Sequence, residues 1–397
     1  MSRCVLVVSA RIGAGHDGAA TELCRRLEAR GFSAVMVDFL DAAPRSGSSV
    51  QKVFRLWLRW TPWAYELAYR SWVVLPFLYW PMSMLLTAVF GKRLQRWIAE
   101  TGASAVVSTY PFASVVLGRL KRKSRISVPV ATFMTDFSIH PLWLGRGMDL
   151  HLCVHPLTAA AASSITEEPT VAPGPMVAAE YRGEAPCKRE ARLAMGIPQE
   201  KTVVLVTAGS WGVGQIEATI DDLSRTGDRY FVLVACGKNE KLKQRLAKRS
   251  AANAMAIGWT DQMPRLMAAA DVLVQNAGGL TAMEAFATGL PVITYRPIPG
   301  HGRDNARAME KAGVAPYARN PAQLAVALET ATSGLALHAL RAQSIFTADT
   351  ADHIARLPGL EPDYLEGSVA TDHSMEAERL PSAALIGSTD HIESSSW

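Results

Sequence analysis

The sequence lacks the marks of several large protein classes. Its five cysteines, at positions 4, 24, 153, 187 and 236, are odd in number and never fall as Cys-x-x-Cys. A disulfide framework and a structural zinc site are therefore not expected, and a reducing compartment is. No basic leader or cleavage site precedes the first apolar run, CVLVVSA, so no secretion signal is predicted. There is no short-period repeat, and no paired-carboxylate motif marks a divalent cation site; no metal is expected. The net charge of +5 over 397 residues is a mild excess concentrated in one segment, and no nucleic-acid partner is expected.

What is present is an alternation of short apolar runs with helical spacing. Strands are predicted at Cys4–Ser9, Ala34–Phe39, Ala105–Ser108, Val128–Phe133 and Leu150–Val154, with a helix over Asp17–Arg30. After a Pro/Gly linker, VAPGPMV at 171–177, a second series begins. It has strands at Thr202–Thr207, Tyr230–Ala235, Ala254–Ile257, Val272–Gln275 and Pro291–Tyr295, and helices starting near Gln215 and Thr281. Two strand–helix series of domain size imply two α/β domains with parallel sheets. The expected limits are 1–172, 173–357 and an acidic tail, 358–397, with eight Asp/Glu against one Arg, read as disordered.

The segment 50–100 breaks the pattern. It holds six of the ten tryptophans and seven Lys/Arg against two Glu, with no charge between Arg70 and Lys92. That gap just reaches bilayer length, but Pro76 and Pro81 interrupt it. An aromatic, basic pair of helices lying on anionic lipid is the expectation. A packed insertion, a homodimer surface and a true span are the alternatives.

Near the start, SARIGAGHDGAA spells Gly-x-Gly-x-x-Gly at Gly13, Gly15 and Gly18, with Asp38 twenty residues further on. Strand, glycines, helix and acid suit a nicotinamide dinucleotide cradle and hence an oxidoreductase. Four residues separate the strand from Gly13, however, and His16 stands where a pyrophosphate would approach. No Gly-Lys-Ser/Thr follows, which excludes a P-loop. The other reading makes His16 a base, kept neutral by the positive end of the helix. In the second half, Gly278 and Gly279 precede a helix carrying Glu284, suited to ribose hydroxyls. AGSWGVG at 208–214 and Pro297–Asn305 add two further loops, and together they suggest a nucleotide site.

The blocks GAGHDGAA, STYPF at 108–112, TDFSIHPLW at 135–143, CGKNEKLKQRL at 236–246, GWTDQM at 258–263 and GGLTAMEAFATGLPVI at 278–293 resemble the monogalactosyldiacylglycerol synthase family of GT-B glycosyltransferases. That family includes bacterial diacylglycerol glucosyltransferases and is related to the peptidoglycan lipid N-acetylglucosaminyltransferase. The resemblance implies two facing Rossmann-like domains with a cleft between them. The first domain takes a lipid acceptor at the membrane; the second takes a nucleotide-sugar donor, usually UDP-linked, as a substrate rather than a cofactor.

By position, the resemblance gives His16 to acceptor handling and proton abstraction; as the base His16 is the first choice, Asp136 the second and His140 the third, with the orienting of a histidine as the other reading of Asp136. Gly15, His140 and Trp143 would meet the acceptor. Gly209, Ser210, Gly212, Trp259, Thr260, Gly278, Gly279, Leu280, Thr281, Glu284, His301, Arg303 and Asn305 would meet the donor. The family's Pro-Gly-Gln-Glu-x-x-Asn is replaced here by Pro299-Gly300-His301-Gly302-Arg303-Asp304-Asn305, so the hexose contacts differ. The reaction implied is an inverting, metal-independent hexosyl transfer to a membrane lipid, by a protein peripheral on the cytoplasmic face. A soluble glycosyltransferase of a hydrophobic metabolite and a nucleotide-sugar 2-epimerase are the rival readings.

Overall fold

The computed structural model describes residues 3–43, 60–183, 186–249, 253–333 and 337–360. Positions 50–59 of the expected insertion and the tail from 361 lie outside the described residues. Among the described residues, twelve strands form two all-parallel sheets of six. The first sheet has the order β2-β1-β3-β4-β5-β6, with β1 Cys4–Ser9, β2 Ser33–Asp38, β3 Ala103–Ser108, β4 Val130–Phe133, β5 Leu150–Leu152 and β6 Thr170–Val171. The second has the order β12-β11-β10-β7-β8-β9, with β7 Thr202–Thr207, β8 Tyr230–Ala235, β9 Ala254–Ile257, β10 Val272–Gln275, β11 Val292–Tyr295 and β12 Tyr317–Ala318. Helices cover both faces, which is why β8 (YFVLVA) is apolar and buried at every position instead of alternating.

The strand order fixes where a ligand can sit. In the first sheet β1 lies between β2 and β3; in the second, β7 lies between β8 and β10. A crevice opens beyond the carboxyl ends of the strands where the direction of winding reverses. The loops there are 10–13 and 109–110 in the first lobe, and 208–214 and 276–279 in the second. The glycine motifs read from the sequence, except Pro297–Asn305 after the neighbouring β11, fall on these loops or, for Gly15 and Gly18, in the helix that follows the first of them.

The lobes are joined at their far end. The linker is packed: Met176 and Val177 are buried in one apolar cluster that runs from Val5 and Leu23 through Leu205 and Ala285 to Ile354. The chain then returns. Ala348 N–H donates to Pro173 O at 3.0 Å, and the helix Thr350–Ala355 docks on the first helix, Ala14–Glu28. Arg30 pairs there with Asp349 at 3.0 Å and with Asp352 at 2.7 Å.

The insertion forms two helices, Pro62–Val74 and Tyr79–Thr101, bent by 110° from each other. Pro76 opens the short turn between them, and Pro81 lies in the first turn of the second helix, where its missing N–H costs nothing. No single described helix is long and apolar enough to cross a membrane; only the bent pair reaches the length and composition jointly. The second helix buries Ser83, Thr87, Gly91, Leu94, Trp97 and Ile98 and exposes Trp80, Met84, Leu85 and Val89.

Below it, the helix Pro111–Arg122 meets the loop 144–147 backbone to backbone. A Cβ at Gly145 would stand 2.2 Å from Ser114 O, and one at Gly118 would stand 2.6 Å from Arg146 O. This contact seats the segment that carries His140 and Trp143. Gly145→Ala is expected to lower stability by about 1–3 kcal/mol, read as a shift in the urea midpoint; an unchanged midpoint would show that the segment has room to move.

Candidate active site

The first glycine loop does not form a dinucleotide cradle. The Asp38 carboxylate is occupied by its own lobe. It accepts from Leu40 N–H at 2.7 Å and Arg11 N–H at 3.2 Å, and it pairs with the Arg11 guanidinium, so it has no role as a ribose acceptor. The glycines serve a different contact. Gly15 and Gly18 face Leu280, at the start of the helix Leu280–Thr288 of the second lobe, and a Cβ at Gly18 would lie 2.4 Å from Leu280 Cδ2. Beside them Ala14 N–H donates across the cleft to Ser210 Oγ at 3.2 Å. Gly15 and the Leu280 side chain thus meet each other across the lobes.

His16 is half-buried between the rings of Tyr110, at 5.4 Å, and Trp143, at 5.8 Å. Its Nδ1 lies 2.8 Å from Thr109 O and 3.2 Å from Thr135 Oγ1. A carbonyl can only accept, so Nδ1 carries the proton and Nε2 keeps the lone pair. Burial lowers the pKa of His16, against the opposing pull of Asp136 and of the Thr109 carbonyl. The outcome is the neutral imidazole expected from the sequence. The first cause is desolvation by burial.

Asp136 is shared by the two lobes. Its Oδ2 accepts from Trp143 Nε1 at 3.0 Å, and its Oδ1 accepts from Asn305 Nδ2 at 3.0 Å. The Asn305 amide is fully occupied: Nδ2 also reaches Ala277 O at 3.2 Å, and Oδ1 accepts from Ser138 N–H at 2.8 Å and Ser138 Oγ at 2.9 Å. It is completely buried. Asn305 therefore joins the lobes and has no free group for a sugar.

Trp143, also buried, orients Asp136 and flanks His16 but offers no surface to a lipid. His140 has both nitrogens engaged. Nδ1 accepts from Leu142 N–H at 3.3 Å and Nε2–H donates to Tyr69 O at 3.1 Å, which removes it as a base.

In the second lobe, Gly279 caps the helix Leu280–Thr288 without a side-chain partner, and a Cβ built there meets nothing within 4 Å. The Cβ side of Gly279 is thus open, while the backbone nitrogen of Leu280 lies 3.9 Å from a Cβ built at Gly15. Gly278 lies directly beneath Asn305. The 208–214 turn, with Gly209 and Gly212, is braced by Asn239 Nδ2 donating to Gly212 O at 2.8 Å and by Lys238 N–H donating to Ser210 O at 2.9 Å.

Trp259 is 53% exposed, with Lys238 Nζ 4.6 Å above its ring. Thr260 Oγ1 accepts from Gln262 N–H at 3.0 Å, a local turn. Glu284, one turn after Leu280, faces the Tyr181 hydroxyl. His301 meets Tyr65 OH at 3.0 Å, and Arg303 points to Glu66 at 3.4 Å.

Sequence reasoning missed Thr109 and Thr135, which set the His16 tautomer, along with Tyr181, Tyr65, Glu66 and Arg70. The only signal for the last two was an i,i+4 acid–base pair in an otherwise apolar helix.

Burial lifts the Glu284 carboxyl to about 7, with the Tyr181 hydroxyl opposing. A carboxyl raised above its unfolded value disfavours its own charge. Stability is full below about pH 4.5 and falls as pH rises through 7. Glu284→Gln should therefore match the wild type at pH 4.5 and melt ~2–5 °C higher at pH 8; equal melting at both pH values would refute the buried carboxyl.

Residues 16–174 match the family Monogalactosyldiacylglycerol (MGDG) synthase, and residues 203–354 match the Glycosyltransferase family 28 C-terminal domain. The processive diacylglycerol beta-glucosyltransferase of Bacillus pumilus is 25% identical over 78% of this chain and 82% of its own length. That of Bacillus cereus strain AH187 is 26% identical over 88% and 92%. Among solved structures, Acinetobacter baumannii MurG aligns with a TM-score of 0.56 at 16% identity, covering 89% of this chain and 98% of MurG. Anabaena Alr3699/HepE, solved with UDP-glucose, aligns at 0.55 and 14%, covering 87% and 94%. These likenesses show the fold. The chain carries a monogalactosyldiacylglycerol synthase domain followed by a glycosyltransferase family 28 C-terminal domain, and is a hexosyltransferase with the two-lobed GT-B fold.

Proposed function

We propose that this chain transfers a hexose from a UDP-linked nucleotide-sugar to a hydroxyl of a diacylglycerol-type lipid at a membrane surface. The transfer inverts the anomeric centre, and His16 is the base. The observation that carries the reading is the state of His16: neutral, with Nδ1–H spent on Thr109 O and Nε2 left with its lone pair. It stands in the first turn of the helix Ala14–Glu28, whose start touches Leu280 and Ser210 of the second lobe.

The acceptor O–H proton passes to Nε2 as oxygen bonds to the anomeric carbon. The bond from that carbon to the β-phosphate oxygen breaks, and its electron pair leaves with the nucleoside diphosphate. Asp136, held by Trp143 and Asn305, stabilises the imidazolium without being the base. Glu284 takes the ribose hydroxyls, and Trp259 offers a face to the uracil. The helix start at Gly279 and the turn at Gly209–Ser210 receive the diphosphate charge, and the reading requires no metal.

Two features support the lipid side. The relatives are named for diacylglycerol. The insertion is also apolar outward: Trp63 is 69%, Phe77 67% and Trp80 61% exposed, and Lys92 and Arg96 follow along the second helix on the exposed side. Apolar ring edges entering the bilayer, with basic groups at the headgroups, describe a peripheral protein on the inner face of the cell membrane.

His16→Ala should cut kcat by about 10²–10⁴-fold in radiolabel transfer from UDP-hexose to diacylglycerol, with the donor KM little moved; a near-normal rate would assign the proton elsewhere. Trp63→Glu combined with Trp80→Glu should reduce partition onto phosphatidylglycerol vesicles by roughly 10-fold or more, read by co-sedimentation. Unchanged partition would favour a hydrophobic acceptor taken from solution.

A further inference from the structure

The helix Pro62–Val74 has two working faces. Trp63, Leu67 and Val74 point outward and are exposed. Tyr65, Glu66, Tyr69 and Arg70 point inward, and all of them meet the first turn of one helix in the other lobe, His301–Lys311.

The cap of that helix, Gly300, has no side-chain partner of its own. Its N–H donates instead to Glu66, more than two hundred residues away in sequence. Arg70 forks onto both oxygens of Asp304 at 2.7 and 3.1 Å and holds Glu66 at 2.9 Å. Tyr65 OH meets His301 Nδ1, and Gly300 lies so close to the Tyr65 and Tyr69 rings that a Cβ there would stand 2.8 and 3.0 Å from them. Burial pushes the Glu66 carboxyl up, and Gly300 N–H with Arg70 and Arg303 more than reverses it, leaving the acid below its ordinary range. On the first lobe, His140 donates to Tyr69 O, and its ring lies 4.2 Å from that of Tyr69. One turn beyond His301 on the same helix stands Asn305, which ties the lobes together at Asp136.

We propose that Tyr65, Glu66 and Arg70 are positioning residues of the donor site, so that seating the helix Pro62–Val74 on a lipid surface and binding the nucleotide-sugar strengthen each other. The outward face is unfavourable in water and favourable on lipid, so a bilayer adds to the seated population. The inward face fixes His301 and the start of its helix, which follows β11 at the carboxyl edge of the second sheet, where the donor reading places the nucleotide-sugar. Coupling of this kind is reciprocal: lipid must tighten nucleotide binding by the factor by which nucleotide tightens lipid binding. The proposal rests on the donor reading given above.

The test uses the full chain without diacylglycerol, so that no turnover occurs. UDP-glucose and UDP-galactose are titrated with and without phosphatidylglycerol vesicles, on wild type, Arg70→Asp, Asp304→Arg and the double swap. Vesicles should tighten wild-type binding about 5- to 10-fold, and the nucleotide should tighten vesicle partition by the same factor. Each single variant should lose the coupling yet still sediment with vesicles, and the double swap should regain it. In turnover the singles should raise the donor KM more than they lower kcat.

Tyr65→Phe, which removes one hydroxyl, gives a second reading should a charge variant fold poorly; it too should weaken the coupling. Wild-type nucleotide binding indifferent to vesicles, or a double swap no better than the singles, overturns this proposal alone. A wild type that binds neither nucleotide-sugar overturns the donor reading and this proposal with it.

Discussion

One carboxylate holds the halves of the site in register. Asp136 takes a hydrogen bond from the indole of its own lobe and another from the Asn305 amide of the other lobe. A buried amide is a liability unless every donor and acceptor is met. Asn305 meets all four: Asp136, Ala277 O and two bonds from Ser138. An apolar contact of the same area would hold the lobes together over a range of offsets. This arrangement accepts one, because a shift of about an ångström leaves a buried polar group unpaired. The position of Asp136 relative to His16, and of the helix start at Gly279 relative to both, follows from that single match.

The three histidines of the cleft show how chemistry divides among like residues. His140 donates and accepts: its Nε2–H bond to Tyr69 O fastens the insertion to the first lobe, and its Nδ1 caps its own turn by accepting from Leu142 N–H. His301 shares a proton with Tyr65 at the first turn of its helix. His16 donates from Nδ1 to a carbonyl and, in the same ring, retains at Nε2 a lone pair to which no side chain or backbone group is seen to donate among the described residues. Thr109, which supplies that carbonyl, follows β3 at the point where the winding of the first sheet reverses. The fold thus sets the tautomer through backbone geometry, independent of any side chain at 109.

Much of the architecture was legible because buried parallel strands leave a strong trace: β1, β7, β8, β9 and β10 coincide with the apolar runs, and His16 and Glu284 stand near the starts of helices whose strand order brings them to one crevice. The two-residue strands β6 and β12 carried too little sequence to register. The functions of Gly18, Asn305 and Glu66 were hidden for a different reason. Gly18 resembles a phosphate glycine until Leu280 is placed against it, and Glu66 resembles a helix-surface acid until Gly300 is brought beneath it. Contacts across hundreds of residues follow from topology, and local periodicity does not record them. Resemblance to a family located the site blocks but gave Trp143 and Asn305 substrate contacts, where burial assigns them to the frame.

The attachments between the lobes are unevenly distributed, and this bears on how substrates enter. At the far end two stretches of chain cross, one apolar cluster is continuous, and Arg26 and Arg30 clasp Asp349 and Asp352. At the mouth the ties are more polar: Ala14 to Ser210, the Asn305 set and the ion pairs on the inward face of the helix Pro62–Val74, beside the Leu280 side chain packed on Gly15 and Gly18. Polar ties exchange with water at small net cost, whereas separating the apolar end exposes core. Opening therefore requires the mouth bonds to break while the far end stays intact. Of those bonds, the ones at Glu66 and Arg70 lie on the helix whose other face is bare tryptophan and leucine, so the environment of that face bears directly on how readily the mouth stays shut.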